Sequence, residues 1–205
     1  MEGSLKENAI EGQWPIISSR RPIKLPTAWG DVFVQLAQVG GSSLLVVTSP
    51  HAVELPVIRF QSACVFGEGL RAVDCDCGVQ LDAAIALICR EGGVVTYAWE
   101  EGRGLGIAKK MDAIALQQAE GINTAEAFAR LGVPAEPRNF DNHVSALKMI
   151  FSGPKVRLAS RNAAKIAALA RAGIEVAERI DLEVPTTPER NSYLASKIAA
   201  LGHLQ

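Results

Sequence analysis

Three cysteines, Cys64, Cys75 and Cys77, are the residues of this chain best suited to chemistry. Their C-x10-C-x-C spacing favours a metal site over a disulfide, because cysteines separated by a single residue pair poorly. Three thiolates on a Zn2+ ion would leave its fourth position open to water, as in a catalytic rather than a structural zinc site. The alternative is that Cys64 and Cys89 are ordinary buried thiols and that Cys75 and Cys77 are neighbours by accident.

A second candidate site is the glycine-rich segment 100–106, Glu-Glu-Gly-Arg-Gly-Leu-Gly, which leads from a predicted strand into a predicted helix. Glycines let a backbone approach a ligand closely, and the free N–H groups of a helix N-terminus bind anions. Arg103 adds a planar donor fork that suits phosphate. The segment has neither the dinucleotide-binding fingerprint nor the Lys-Ser/Thr ending of a P-loop. A glycine-rich turn without a ligand therefore remains the alternative.

Two more segments carry charges that suit an anionic ligand. The turn 160–162, Ser-Arg-Asn, follows a predicted strand, and Lys165 lies in the first turn of the next predicted helix. This is a candidate phosphate site, although an ordinary N-cap in the turn explains the same residues without a ligand. Glu136 and Arg138 place an acid and a base on an irregular loop after Gly132, for which a solvated loop is the alternative.

The elements that must position these residues follow from apolar patterning and glycine turns. Cys64 comes just after the third predicted strand, and Cys75 and Cys77 come just after the fourth, where neighbouring strand ends could bring them together. Cys89 falls within a predicted helix, as a core or partly exposed thiol. Strands are predicted over 31–38, 43–48, 57–61, 70–73, 94–99, 156–159 and 174–179. Helices are predicted over 79–90, 107–119, 124–131, 144–151, 163–172 and 193–200.

The pattern predicts one α+β domain, with strands mainly in the first half and helices and a small α/β unit in the second. The 205 residues, 48% of them hydrophobic, can form a substantial core without disulfides. A formal charge of −1 disfavours a nucleic-acid partner, and no apolar run approaches the roughly 20 residues of a membrane span. Residues 1–23 are predicted to be a flexible leader without signal-peptide character and 24–205 the catalytic domain, located in the cytoplasm.

Taken together, the motifs resemble GTP cyclohydrolase II. The resemblance is carried by residues 59–64 (Arg-Phe-Gln-Ser-Ala-Cys), 75–81 (Cys-Asp-Cys-Gly-Val-Gln-Leu) and 101–106 (Glu-Gly-Arg-Gly-Leu-Gly), and it extends over nearly all of the chain beyond the leader. It implies a homodimeric, zinc-dependent and Mg2+-assisted enzyme of riboflavin biosynthesis. Such an enzyme opens the imidazole ring of GTP, expels C8 as formate and cleaves off pyrophosphate.

The resemblance also implies roles for individual residues. Cys64, Cys75 and Cys77 match zinc ligands, and the zinc would activate water for attack on C8 of GTP. Arg138 matches an arginine beside the α-phosphate, for which charge stabilisation suits a guanidinium better than nucleophilic attack. Glu136 corresponds to an aspartate assigned as general base. Residues at nucleotide-binding positions are Arg59, Gln61, Ser62, Gln80, Glu101, Gly102, Arg103, Thr124, Ser160 and Lys165.

Three residues depart from the family pattern: Gln61 replaces a histidine, Ala63 a glutamate beside a zinc ligand, and Ile114 an active-site tyrosine. Isoleucine cannot donate a proton, so the second of the two C–N hydrolyses that release formate should suffer more than the first. Two alternatives to an authentic cyclohydrolase therefore stay open. One is a diverged zinc hydrolase that retains the formyl group or acts on another purine or pyrimidine nucleotide, in uracil catabolism or specialised metabolism. The other is a non-catalytic nucleotide-binding module with a structural zinc.

Overall fold

One mixed sheet of seven strands lies at the centre of the protein. The computed structural model describes Trp14, Ile17 and residues 21–134 and 136–182. The strands are β1 (Ile23–Thr27), β2 (Gly30–Val39), β3 (Ser42–Thr48), β4 (Val57–Ser62), β5 (Gly93–Ala98), β6 (Lys155–Leu158) and β7 (Glu175–Arg179). Their order in the sheet is β1-β2-β3-β5-β4-β6-β7. β1, β2, β3 and β5 pair antiparallel, whereas β4 pairs parallel with both β5 and β6, and β6 parallel with β7.

Helices connect the parallel strands and cover both faces of the sheet. They are α1 (Cys77–Glu91), α2 (Gly106–Glu120), α3 (Thr124–Arg130), α4 (Asp141–Ile150) and α5 (Ala163–Arg171), and a single π-helical turn covers Val65–Gly69. α4 and α5 bury apolar side chains against one face, and α1 packs against the other. α2 and α3 form a smaller apolar cluster of their own around Phe128. Among the described residues, no helix is long and apolar enough to cross a membrane.

The predicted α+β class is confirmed, and most predicted elements are present within two or three residues of their predicted ends. The strand predicted over 70–73 is wrong, because the chain there is an exposed loop after the π-helical turn and Leu70 is 71% exposed. The sequence prediction missed β1, an edge strand that tolerates Pro26 because one side of it needs no ladder hydrogen bonds. The helix predicted over 193–200 lies outside the described residues.

Trp14 and Ile17 belong to the segment that the sequence assigned to a leader, and both contact the domain. Trp14 is buried in the core on the α4 side of the sheet, and its indole N–H donates to Ser49 Oγ at 3.3 Å. The Ile17 N–H donates to Gln35 Oε1 at 2.9 Å.

Candidate active site

The candidate site lies at the carboxyl ends of β4, β5, β6 and β7, the four adjacent strands that run parallel. Loops that leave this edge of an open α/β sheet commonly form ligand sites. Here they line a cavity of about 770 Å3, which is within the usual size range for small-molecule sites. The cavity combines the cysteines with polar and charged side chains that come from the loops after the parallel strands and from α1, α2, α3 and α5.

The three cysteines predicted as metal ligands form one cluster. Their Sγ atoms all lie within 4.8 Å of one another, and those of Cys64 and Cys75 are 3.5 Å apart. Tetrahedral zinc, with Zn–S bonds of about 2.3 Å, holds its sulfurs about 3.8 Å apart. The donor set therefore fits a soft tetrahedral ion, and all three cysteines line the cavity.

Local folding brings the cysteines together by a route that differs from the predicted one. Cys64 precedes the π-helical turn, Cys75 lies on the loop that follows it, and Cys77 is the first residue of α1. Gly67 and Gly78 let the turn pack directly on the start of α1: a Cβ added at Gly78 would lie 2.2 Å from the Gly67 carbonyl oxygen. These glycines therefore fix the spacing of the sulfurs.

Positive charge and N–H groups surround the sulfurs. Lys110 Nζ lies 3.1 Å from Cys64 Sγ and 2.7 Å from Glu101 Oε1, and the Gly67 N–H donates to Cys64 Sγ at 3.4 Å. Hydrogen bonds from the neighbouring thiols of Cys75 and Cys77, together with these donors, lower the pKa of the Cys64 thiol. The surroundings of Cys64 therefore favour its thiolate, the form that binds metal.

A buried polar network lies beside the cysteine cluster. The guanidinium of Arg59, only 8% exposed, donates to the side-chain oxygens of Gln61 and Gln80 and to a backbone carbonyl. Gln61 Nε2 in turn donates to Glu68 Oε1 at 2.8 Å, and Gln80 Nε2 donates to Asp76 Oδ2 at 2.6 Å. Arg59, Gln61 and Gln80 thus line the cavity while their polar atoms hold one another in place.

The glycine-rich segment forms a tight turn before α2. Gly102, Gly104 and Gly106 all have positive φ, and so does Arg103 at 59°, which is an unusual backbone conformation for a residue with a side chain. Arg103 stacks on the Phe128 ring at 5.0 Å and faces the cavity. Glu101 accepts hydrogen bonds from Lys110 and from the Val65 N–H, which joins this turn to the cysteine cluster.

Glu136 and Arg138 form a partly buried ion pair, so this segment is not a fully solvated loop. Both nitrogens at one edge of the guanidinium, Nε and Nη2, contact the carboxylate, and Asn162 Nδ2 donates to Glu136 Oε2 at 3.1 Å. Burial works against the ionised form of Glu136, and the hydrogen bonds and charge of Arg138 outweigh it, so the pKa of Glu136 is lowered. Arg138 lines the cavity, whereas Glu136 is absent from its lining residues.

The remaining predicted residues also border the cavity. Asn162 is the N-cap of α5, and its side chain accepts from the Ala164 N–H, so Ser160 remains on the cavity wall. Lys165 Nζ donates to the Phe60 carbonyl oxygen at 2.6 Å, and Thr124 Oγ1 donates to Gln117 Oε1 at 3.0 Å. Ile114 lines the cavity from α2.

The structure thus brings together every predicted site residue at this cavity, with Glu136 behind Arg138. Sequence reasoning missed Glu68, Lys110 and Tyr97, whose hydroxyl donates to Glu68 Oε2 at 2.6 Å. Glu68 could have been found from the sequence, because it is an acidic residue between Cys64 and Cys75. Lys110 and Tyr97 had no local signal, because only the packing of α2 and β5 brings them to the cluster.

Comparisons with known proteins identify the family. The family model for GTP cyclohydrolase II matches residues 19–181, so the chain belongs to the GTP cyclohydrolase II family, a family of hydrolases. It is 39% identical over 187 residues to the GTP cyclohydrolase-2 of Pectobacterium atrosepticum, covering 88% of this chain and 93% of that one. It is 40% identical over 188 residues to the GTP cyclohydrolase-2 of Yersinia pseudotuberculosis, covering 88% and 94%. The resemblance predicted from the motifs is confirmed.

Proposed function

We propose that the protein is a zinc-dependent GTP cyclohydrolase that hydrolyses the imidazole ring of GTP and releases formate and pyrophosphate, the entry reaction of riboflavin biosynthesis. The observation that carries the proposal is the three-thiol cluster bordering a cavity with arginine and lysine side chains. Zn2+ bound by Cys64, Cys75 and Cys77 would supply an activated water. The family resemblance adds Mg2+ bound with the triphosphate, a homodimer and a cytoplasmic location.

The chain's own residues would bind and orient the nucleotide. Arg103 and Lys165 present cationic groups to the cavity and suit the triphosphate. Ser160, just before α5, and Thr124, the first residue of α3, add hydroxyl groups to the cavity wall. Arg138, held by Glu136, would stabilise the negative charge that develops as pyrophosphate leaves. Because Glu136 is paired with Arg138 and has a lowered pKa, orienting the guanidinium suits it better than general-base catalysis.

Incubating the pure protein with GTP and Mg2+ tests the proposal. Ultraviolet absorbance follows opening of the ring, while formate and pyrophosphate are measured in parallel. Formate plus pyrophosphate supports the full cyclohydrolase reaction. If the protein turns over neither GTP nor any other purine or pyrimidine nucleotide in a test panel, a non-catalytic binding module is the better description.

One observation favours a second candidate, a diverged enzyme that retains the formyl group. Ile114 lines the cavity at the position where the family resemblance implies a tyrosine, so a phenol that could deliver a proton is missing there. The expected product of this variant reaction is the formylated, ring-opened pyrimidine together with pyrophosphate. Ring opening and pyrophosphate release without formate would support it.

We expect Ile114→Tyr to raise formate release about 10^2-fold if the native enzyme retains the formyl group, the low end of the range for a positioned proton donor. The measurement is the ratio of formate to pyrophosphate in matched reactions. Ile114→Phe is the control, because it adds the ring without the hydroxyl. An unchanged ratio in Ile114→Tyr, or an equal rise in Ile114→Phe, would remove the missing phenol from the explanation.

A further inference from the structure

A buried histidine points at the wall of the active-site cavity. His143, on α4, is fully buried and stacks on the Phe60 ring at 5.1 Å. Its Nδ1 lies 2.7 Å from Thr96 Oγ1. Its Nε2 is buried, and within the described part of the chain it has no hydrogen-bond partner of ordinary geometry. A buried polar atom left in this way needs an explanation.

The group that faces Nε2 is a carboxylate of the cavity. Glu100 Oε2 lies 3.5 Å from His143 Nε2, farther than in an ordinary hydrogen bond. The same oxygen accepts from Ser62 Oγ at 2.8 Å, and Ser62 Oγ lies 3.4 Å from Arg138 Nη1. Glu100, Ser62 and Arg138 all line the cavity. A continuous polar chain therefore runs from the core, through Glu100, to the guanidinium assigned to pyrophosphate release.

We propose that His143 is a positioning residue that presents an Nε2–H to Glu100, and that Glu100 in turn orients the Ser62 hydroxyl towards Arg138. With its proton committed to Glu100, the Ser62 oxygen keeps its lone pairs for the guanidinium. A carboxylate facing Nε2 favours the tautomer that carries the proton there, and Thr96 then donates to Nδ1. The catalytic part of the proposal rests on the proposed function, whereas the tautomer does not.

The electrostatics agree with this geometry. The charged groups that face His143 are Glu100, Arg138 and Lys165; burial lowers its pKa, Glu100 raises it, and the two cations lower it further. The imidazole is therefore neutral near neutral pH. Burial also raises the pKa of Glu100, but hydrogen bonds from His143 and Ser62 and the charge of Arg138 outweigh burial, so the net shift is downward. A neutral imidazole acts on Glu100 through its N–H rather than through a charge.

The sign of the pH effect follows. Because the pKa of Glu100 is lowered, the carboxylate keeps its charge down to acidic pH and loses it only as the pH falls through that value. Without the imidazole N–H, less offsets the burial of the Glu100 carboxylate, so its pKa rises and it loses its charge at a higher pH. His143→Leu should therefore move the acid limb of the kcat/KM profile to higher pH. On that limb we expect about a tenfold loss, the effect of one hydrogen bond to a charged group.

Matched variants separate positioning from a general effect on folding. His143→Gln keeps an acceptor for Thr96 and a donor for Glu100 and should restore most of the acid limb. Glu100→Gln still accepts from Ser62 but cannot titrate and resembles the uncharged carboxyl group. It should therefore lower kcat/KM across the pH range, flatten the acid limb and make an added His143→Leu silent there. Ser145→Ala, an exposed substitution on the same helix, should leave the profile unchanged. An acid limb in His143→Leu that matches the native one would overturn the proposal.

Nitrogen NMR of the histidines tests the tautomer without any substrate. We expect the neutral His143 to carry its proton on Nε2 and, because burial lowers its pKa, to remain neutral in mildly acidic solution. A proton on Nδ1 of the neutral ring, or protonation of His143 near neutral pH, would overturn the proposed contact with Glu100. If the NMR result is as expected but no nucleotide is hydrolysed, the proposed function fails and the positioning contact stands.

Discussion

Cys75→Ser is expected to abolish ring opening of GTP and to lower the zinc content of the purified protein. The Cys75 sulfur lies 3.5 Å from Cys64 Sγ, within a cluster that supplies three sulfur ligands. A serine hydroxyl is a far weaker ligand for a soft metal, because it does not ionise near neutral pH. Loss of an activated water removes several kcal/mol of transition-state stabilisation, so we expect the rate to fall at least about 10^3-fold.

The matched control is Cys89→Ser. Cys89 lies on α1 outside the cluster, and its Sγ is 3.7 Å from the Asp31 carbonyl oxygen. The substitution changes the same atoms in a partly buried thiol, so a general effect of losing sulfur would appear in both variants. Zinc should be measured by atomic absorption and ring opening by ultraviolet absorbance. Full ring-opening activity in a metal-depleted Cys75→Ser protein would refute the assignment of a catalytic zinc.

The cysteine cluster shows how far spacing alone can lead. The C-x10-C-x-C pattern predicted the three ligands, although the strand predicted at 70–73 is an exposed loop. The prediction survives this error because ligand identity depends on residue type and short-range spacing. The local route depends on two glycines, Gly67 and Gly78, whose backbones touch, and that close contact has no counterpart in apolar periodicity.

The remaining site residues show where the sequence stops being sufficient. The resemblance assigned Arg138 and Glu136 to the site, but their pairing with each other and with Asn162 emerges only when the loop before α4 packs against the start of α5. Glu100 begins the glycine-rich segment that the sequence marked as a candidate site, but His143 is far from it in sequence and does not stand out by its neighbours. Glu100 and His143 come close only because α4 packs against the sheet next to the end of β5. That is a tertiary contact, which no local sequence pattern encodes.

Arg138→Met is expected to impair pyrophosphate release more than nucleotide binding. Arg138 is held by two contacts to the Glu136 carboxylate, by the Phe140 ring at 5.1 Å from its guanidinium carbon, and by Ser62. Such a pre-oriented cation needs little reorganisation to stabilise charge on a leaving group. Methionine fills similar space without charge, so we expect kcat to fall about 10^3-fold with a smaller change in KM.

Arg138→Lys distinguishes charge stabilisation from covalent catalysis by the guanidinium. A lysine keeps the charge but loses the planar fork, so charge stabilisation predicts a rate between those of the native enzyme and Arg138→Met. Arg130→Met is the matched control, because Arg130 also pairs with a glutamate, Glu120, but on the exposed surface of α3. Stopped-flow measurement of pyrophosphate against ring opening separates the steps. Native pyrophosphate release in Arg138→Met would exclude Arg138 from that step.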